Sequence, residues 1–159
     1  MNDYRAIQWC SGLEGKPVVR MLDQRLIPHE IVYSDFTDYH EVATAIRNMV
    51  IRGAPAIGLA AGYGMALAGF YAPDDDIFAV RAAVHDAAVV LKAARPTAVN
   101  LFWAVDRVLK RILDPAVSTV TSLRATVLEE AQSIDVENMR MDLDIARRAF
   151  ALIPDEANI

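Results

Sequence analysis

A long stretch without charged side chains, residues 53–73, sets the first limit on the fold. It is long enough to cross a bilayer, because about 20 apolar residues span the hydrocarbon core. It consists mainly of alanine and glycine, however, and Pro55 and Pro73 lie near its ends. A helix that is apolar on all sides can equally form the centre of a protein core. The stretch therefore favours a buried central helix, from Pro55 to about Phe70, over a membrane span.

The first 36 residues predict short strands separated by turns. The candidate strands are Tyr4–Trp9, Val18–Leu22 and Ile31–Phe36. Runs of this length between turn-forming residues are typical of a small antiparallel sheet. We therefore expect residues 1–36 to form a small β subdomain.

The apolar positions change to helical spacing after residue 37. Residues 37–152 are predicted to form a bundle of five helices, of which the uncharged stretch is the second. Asp38 and Thr97 are expected to cap the first and fourth helices, because their short side chains can accept backbone N–H groups. The acidic residues 74–76 are expected to begin the third helix, where negative charge complements the helix dipole.

The fifth helix is predicted to be the longest, from about Ser118 or Ser122 to Leu152. One interior face is marked by Val127, Ala131, Ile134, Asn138, Met141, Ile145, Ala149 and Leu152. The amide Asn138 is expected to be a core group with hydrogen-bond partners, and residues 153–159 to begin a linker. The predicted fold is α+β and mostly α, a small N-terminal antiparallel β layer followed by a five-helix bundle, in one compact unit.

Charge and cysteine content exclude several classes of protein. The 16 Lys and Arg residues against 21 Asp and Glu residues give a net charge of −5, so an overall basic surface for nucleic acid is absent. The single cysteine, Cys10, cannot form an internal disulfide, and no Cys/His cluster has zinc-binding spacing. The first residues do not resemble a signal peptide. We therefore expect a cytoplasmic protein without a metal, a nucleic-acid partner or a membrane partner.

The strongest candidate for a binding site is the segment Arg52-Gly53-Ala54-Pro55. Gly53 allows close approach of a ligand to the backbone, and Ala54 with Pro55 opens a helix whose first N–H groups are unpaired. Such a helix end attracts anions, and Arg52 adds a planar cation. Arg95 precedes the fourth helix, and two guanidinium groups could neutralise one phosphate. The prediction is a phosphate or sugar-oxygen site; the alternative is a loop that only reverses the chain.

Four segments occur in an order that is typical of one enzyme family. They are Leu22–Pro28, Ile46–Gly58, Arg95–Leu101 and Leu152–Pro154. Together they resemble the methylthioribose-1-phosphate isomerases, enzymes of methionine salvage and so of methionine biosynthesis. The resemblance implies conversion of an aldose 1-phosphate into a ketose 1-phosphate without a cofactor. It also implies that Arg52, Gly53, Ala54 and Arg95 contact the sugar phosphate substrate.

The same resemblance implies a second domain and a partner subunit. Members of the family carry a catalytic cysteine and a catalytic aspartate in a C-terminal Rossmann-like domain, and relatives suggest a homodimer. The sequence reaches Ile159 before the strand that would bring the cysteine, and Cys10 does not occupy that motif. We therefore expect a truncated chain, the N-terminal portion of such an isomerase, with no catalytic residue of its own.

Two alternatives to this reading stay open at the level of the sequence. The first is an isomerase of the same family that acts on ribose 1,5-bisphosphate or 5-deoxyribose 1-phosphate. The second is a non-catalytic regulatory or interaction domain, like the related subunits of a translation-initiation exchange factor.

Overall fold

The computed structural model describes residues 5–73 and 76–154. Its elements in chain order are β1 (Ile7–Ser11), β2 (Pro17–Leu22), β3 (Tyr33–Phe36), α1 (Tyr39–Arg47), α2 (Ala54–Tyr71), α3 (Ile77–Ala94), α4 (Val99–Arg111) and α5 (Val120–Phe150). The strands form one antiparallel sheet in the order β1-β2-β3. The predicted α+β fold, mostly helical with a small N-terminal sheet, is confirmed.

The first strand differs from its predicted bounds. β1 runs to Ser11, because it pairs with β2 residue by residue, from Ile7 opposite Met21 to Ser11 opposite Pro17. The predicted first residue of this strand, Tyr4, lies outside the described residues. The pairing with a partner strand, rather than local alternation of side chains, decides where an antiparallel strand ends.

The uncharged stretch forms the predicted core helix, α2. All of its residues from 57 to 69 are buried, and small side chains let the neighbouring helices approach. A Cβ atom on Gly58 would lie 2.8 Å from the backbone oxygen of Asn100 in α4, and one on Gly62 would lie 3.2 Å from the Cβ of Ala131 in α5. By length and composition α2 could cross a membrane, but 72% of it is buried inside the protein. That burial is typical of a core helix.

Two of the predicted helix caps are present. Asp38 accepts a hydrogen bond from the His40 N–H at 2.6 Å, and Asp76 accepts one from the Phe78 N–H at 2.8 Å. Residues 74 and 75, the other members of the acidic run, lie outside the part of the chain that is described. Each cap satisfies an N–H group that the helix itself leaves unpaired.

The prediction that Thr97 caps α4 is wrong. Ala98 precedes the helix, without a side-chain cap. The Arg95 carbonyl accepts a hydrogen bond from the Ala98 N–H at 3.0 Å, so residues 95–98 form a turn of their own and the helix begins at Val99. Thr97 therefore lies inside the turn and not at the N-cap position of α4.

The predicted interior face of α5 is buried only in its first half. Ile134 is 1% exposed, whereas Met141, Ile145 and Leu152 are 55%, 65% and 83% exposed. Asn138 is half-buried, not a core amide as predicted. Helical spacing marks an apolar stripe correctly, but in residues 5–73 and 76–154 nothing covers the second half of this one.

Candidate functional site

The segment that precedes α2 has the backbone conformation that its glycine allows. Gly53 has a φ of +92°, in the region where any other L-residue would be strained. Val50 and Ile51 are buried, whereas Arg52 and Gly53 are exposed. The Gly53 carbonyl accepts a hydrogen bond from the Ile57 N–H at 2.9 Å and so begins α2. The turn thus carries the Arg52 side chain into solvent directly beside a helix N-terminus.

The packing of α3 against α2 brings Arg95 to the same end of the bundle. A Cβ on Gly64 would lie 3.1 Å from the Leu91 side chain, and one on Gly69 would lie 3.3 Å from the Val84 side chain. The later glycine of α2 therefore contacts the earlier residue of α3, so the two helices are antiparallel. Arg95, the residue that follows α3, therefore lies towards the N-terminal end of α2.

The start of α4 lies at this end as well. Gly58, in the second turn of α2, faces the backbone of Asn100 in the first turn of α4. Two helix N-termini, each with unpaired N–H groups, therefore open at one end of the bundle together with Arg52 and Arg95. The four residues predicted from the sequence, Arg52, Gly53, Ala54 and Arg95, share this end. We call it the α2–α4 end.

A cleft of about 310 Å³ opens beside the first turns of α2, and sequence reasoning did not find it. Its walls include Pro55 and Ala56 of α2, with Asp135 and Asn138 of α5. Arg5 crosses it to Asp135, with 3.3 Å between Nη1 and Oδ2. Burial raises the pKa of Asp135, and the charge of Arg5 opposes that rise. Arg52, Gly53, Ala54 and Arg95 are not among the residues that line this cleft.

Sequence reasoning also missed the side chain that supports the candidate loop. The Arg52 N–H donates a hydrogen bond to Oε1 of Gln24 at 3.2 Å. Gln24 belongs to a segment that the sequence marked only by its resemblance to a family. A contact across 28 residues leaves no local signal, because neither partner stands in a pattern that includes the other.

The α2–α4 end is chemically suited to holding an anion. It combines two guanidinium groups with the positive ends of two helices, which are the groups that bind phosphate oxygens. Within the described residues there is no cluster of three or more His, Cys, Asp or Glu side chains that could hold a metal ion. Cys10 lies in β1, opposite Val18, with its thiol 3.7 Å from Oε1 of Gln8.

Sequence comparison relates the chain to one group of enzymes. It is 41% identical over 159 residues to a methylthioribose-1-phosphate isomerase of Synechococcus sp., covering 100% of this chain and 44% of that protein. It is 43% identical over 162 residues to the same enzyme of Roseiflexus sp., covering 98% of this chain and 44% of the relative. The chain thus spans less than half the length of these relatives.

Two solved structures share the fold. The 5-methylthioribose 1-phosphate isomerase of Pyrococcus horikoshii OT3 matches with a TM-score of 0.78 and 36% identity, over 86% of this chain and 37% of that one. The translation initiation factor eIF-2B subunit delta of A. fulgidus matches with a TM-score of 0.77 and 31% identity, over 86% and 38%. The fold alone therefore does not separate the isomerases from the initiation-factor subunits.

The family model described as the initiation factor 2 subunit family matches residues 50–159, which include Arg52, Gly53, Ala54 and Arg95. This match covers more than half of the chain and begins two residues before the candidate site. The chain therefore belongs to the initiation factor 2 subunit family.

Proposed function

We propose that this chain is the N-terminal substrate-binding portion of an aldose–ketose isomerase. The reaction would convert 5-methylthioribose 1-phosphate into 5-methylthioribulose 1-phosphate, in methionine salvage. The observation that carries the proposal is an identity of 37–43%, along 89–100% of the chain, to curated relatives that are named for this activity. We use "full-length protein" below for this chain joined to the remaining length that those relatives have.

The geometry of the α2–α4 end supports a role in gripping the phosphate. Arg52 is exposed and can rotate onto a bound anion, while Gly53 leaves the backbone open to close approach. Arg95 is half-buried at the same end of the bundle and adds a second permanent cation. In this proposal Arg52, Gly53, Ala54 and Arg95 contact the substrate and hold it while the sugar reacts.

The chemistry of the reaction needs groups that this end does not offer. The furanose ring must open, and hydrogen must then move between C1 and C2 while C1 still carries the phosphate. Both steps need an acid and a base within hydrogen-bond reach of the sugar. We propose that the cysteine and aspartate implied by the family resemblance supply them from the rest of the full-length protein, as a cytoplasmic homodimer that uses no cofactor.

Activity measurements on the full-length protein test the proposal. We expect turnover of methylthioribose 1-phosphate, with ribose 1,5-bisphosphate and 5-deoxyribose 1-phosphate as the competing substrates. The purified 159-residue chain is expected to be inactive, because it would hold only the phosphate grip. If the protein preferred one of the competing sugars, that sugar would become the proposed substrate. Turnover by the 159-residue chain alone would contradict the proposal that the catalytic acid and base lie in the rest of the full-length protein.

A regulatory subunit is the second candidate, because the initiation-factor subunit of A. fulgidus shares the fold almost as closely as the isomerase of Pyrococcus horikoshii. Such a protein would bind a partner protein and would have no isomerase activity. A full-length protein that turned over none of the three sugar phosphates would favour this candidate.

Substitution of the two arginines tests the phosphate grip. In the full-length protein, Arg52→Ala should lower kcat/KM by a factor that corresponds to a loss of about 2–4 kcal/mol in transition-state stabilisation. A loss of this size is usual when a charged hydrogen-bond partner of a reacting ligand is removed. Arg52→Lys should recover only part, because a point charge does not replace a two-pronged guanidinium. Arg95→Ala should have an equal or milder effect, mostly through KM.

Arg111→Ala is the matched control for these substitutions, because Arg111 is exposed and lies at the opposite end of α4. It should leave kcat/KM unchanged. Melting temperatures of all four variants should stay near that of the wild type. Unchanged kinetics in Arg52→Ala would contradict the proposed grip, and equal losses of stability and activity would favour a loop that only reverses the chain.

A further inference from the structure

The loop that carries Arg52 has little packing of its own. The loop is anchored before Arg52 by the buried residues Val50 and Ile51, and after Gly53 by the first turn of α2. Arg52 and Gly53 themselves are exposed. An exposed peptide group can exchange its hydrogen bonds with water at small cost. The direction in which the Arg52 side chain leaves the backbone therefore depends on whatever holds its N–H group.

Gln24 holds this segment at two points. Its main-chain N–H donates to the Val50 carbonyl at 2.9 Å, and its side-chain Oε1 accepts from the Arg52 N–H at 3.2 Å. The two bonds act on residues two apart in the loop, so together they fix the orientation of the chain between them. Ile51 between them is buried, and the bond to the Arg52 N–H extends this anchoring to the exposed part of the loop.

Gln24 is itself held by an ion pair between a buried carboxylate, Asp23, and the exposed Arg25. Asp23 is 6% exposed and accepts three hydrogen bonds from Arg25, from its backbone N–H at 3.1 Å, its Nε at 2.8 Å and its Nη2 at 2.5 Å. These bonds from Arg25 lower the pKa of Asp23, so its carboxylate stays ionised at neutral pH. The Asp23 N–H also donates to the Val32 carbonyl at 2.8 Å. The turn that presents Gln24 is therefore fixed on both sides.

We infer that Gln24 is a positioning residue for Arg52, which holds the loop in the orientation that presents the guanidinium to a bound phosphate. Gln24 acts through the Arg52 peptide group and needs no contact with the ligand. The inference rests on the proposed function, because it assigns Gln24 a part in the same phosphate site. Its test therefore needs one measurement that does not depend on isomerase activity.

The first measurement is the hydrogen exchange of the Arg52 amide, followed by NMR on the 159-residue chain. Gln24→Met removes the acceptor at nearly constant size, and exchange at Arg52 should become roughly 2- to 10-fold faster, as expected for one lost hydrogen bond. Gln24→Glu keeps an acceptor oxygen and should restore the wild-type rate. Arg20→Met is the matched control, because it breaks the Arg20–Asp35 pair of β2 and β3 without touching this loop.

The second measurement is kcat/KM of the full-length Gln24→Met protein for methylthioribose 1-phosphate. We expect a roughly 2- to 10-fold decrease, mainly through KM, from the same lost hydrogen bond, whereas Arg20→Met should retain wild-type kinetics. Unchanged exchange at Arg52 would overturn the inference, and so would faster exchange with unchanged kinetics. An inactive wild-type protein would refute the proposed function instead, and the exchange rates would then decide alone whether Gln24 holds Arg52.

Discussion

The two halves of α5 have the same apolar spacing but different surroundings. In the first half, residues 120–134, the stripe packs against the core and ends with Ile134 at 1% exposure. In the second half, residues 135–150, it continues through Met141 and Ile145 but faces solvent. We call these the buried half and the exposed half. Apolar spacing identifies a helix face, whereas a covering element is needed before that face stabilises the fold.

The exposed half carries many exposed apolar side chains within a short part of the chain. The exposed apolar side chains on and after it are Val136, Met139, Met141, Leu143, Ile145, Phe150, Leu152 and Ile153. Contiguous apolar patches on a protein surface usually mark a place where another surface binds. The two halves can therefore be compared directly by substitutions that change one and spare the other.

The largest difference is expected between two isoleucines of this helix. Ile134→Ala should lower the free energy of unfolding by about 2–5 kcal/mol, because it leaves a cavity in the core. Ile145→Ala should change it by less than about 0.5 kcal/mol, since alanine favours the helix and no packing is lost. Urea denaturation of the 159-residue chain measures both values. Equal losses would show that the exposed half is buried in solution.

Two ion pairs within the exposed half should also differ from each other, with smaller values. Glu137 accepts two hydrogen bonds from Arg107 of α4, at 2.5 and 2.7 Å, whereas Asp144 lies 3.5 Å from Arg147 of its own helix. Glu137→Gln should cost about 1 kcal/mol, and Asp144→Asn close to nothing, because exposed single pairs contribute little. A cost at Asp144 as large as that at Glu137 would contradict this difference.

The Glu137 pair also predicts a pH dependence. The hydrogen bonds from Arg107 lower the pKa of Glu137 in the folded state below its ordinary value of 4.5. The unfolded state then takes up a proton first as the pH falls, so this stabilisation is complete above about pH 4.5 and is lost below it. Unfolding free energies measured from pH 7 to pH 3 should decrease less steeply in Glu137→Gln than in the wild type.

A smaller effect is expected at the junction of the two halves. Burial raises the pKa of Asp135 in the folded state, so the contribution of this group to stability decreases as the pH rises through that pKa. Asp135→Asn should therefore raise the free energy of unfolding at pH 7, by less than about 1 kcal/mol. Asp142→Asn, in the same cleft, is the control and should not change it. A loss of stability in Asp135→Asn would mean that its pair with Arg5 outweighs burial.

The smallest effect on stability is expected on the exposed face itself. The double substitution Met141→Ser with Ile145→Ser should reduce the fluorescence of a bound hydrophobic dye and change stability by less than about 0.5 kcal/mol. Leu13→Ser is the control, because Leu13 is 92% exposed and lies between β1 and β2 rather than on α5. We also expect the full-length protein to bind less dye than the 159-residue chain. Equal dye binding would contradict our expectation that the remaining length covers this face.

Local signals in the sequence predicted the elements well where one segment decides the outcome. The charge-free composition of α2 and the caps Asp38 and Asp76 are such signals, because they act within one or two helical turns. The prediction for Thr97 failed although its residue type is a good cap, because the preceding turn closes onto Ala98. Here the path of the chain overrode a local preference.

The candidate site also combines features that local sequence signals predict with features that depend on distant segments. The segment with Arg52 and Gly53 could be proposed as a candidate from its residue types, because an arginine and a glycine before a helix suit an anion. Neither Gln24 nor the cleft beside Asp135 could be found in this way. Their partners are distant in sequence, and only the tertiary packing brings the parts together.

The sequence by itself determined that this protein has a small sheet, a central apolar helix and a long amphipathic fifth helix, since these depend on composition and periodicity along a single segment. Only the tertiary structure decided which half of α5 is covered, that Arg95 lies at the same end as Arg52, and that Gln24 supports the loop between α1 and α2. The physical reason is that burial and long-range hydrogen bonds require two segments to come into contact. The residue pattern of one segment does not specify which other segment it contacts.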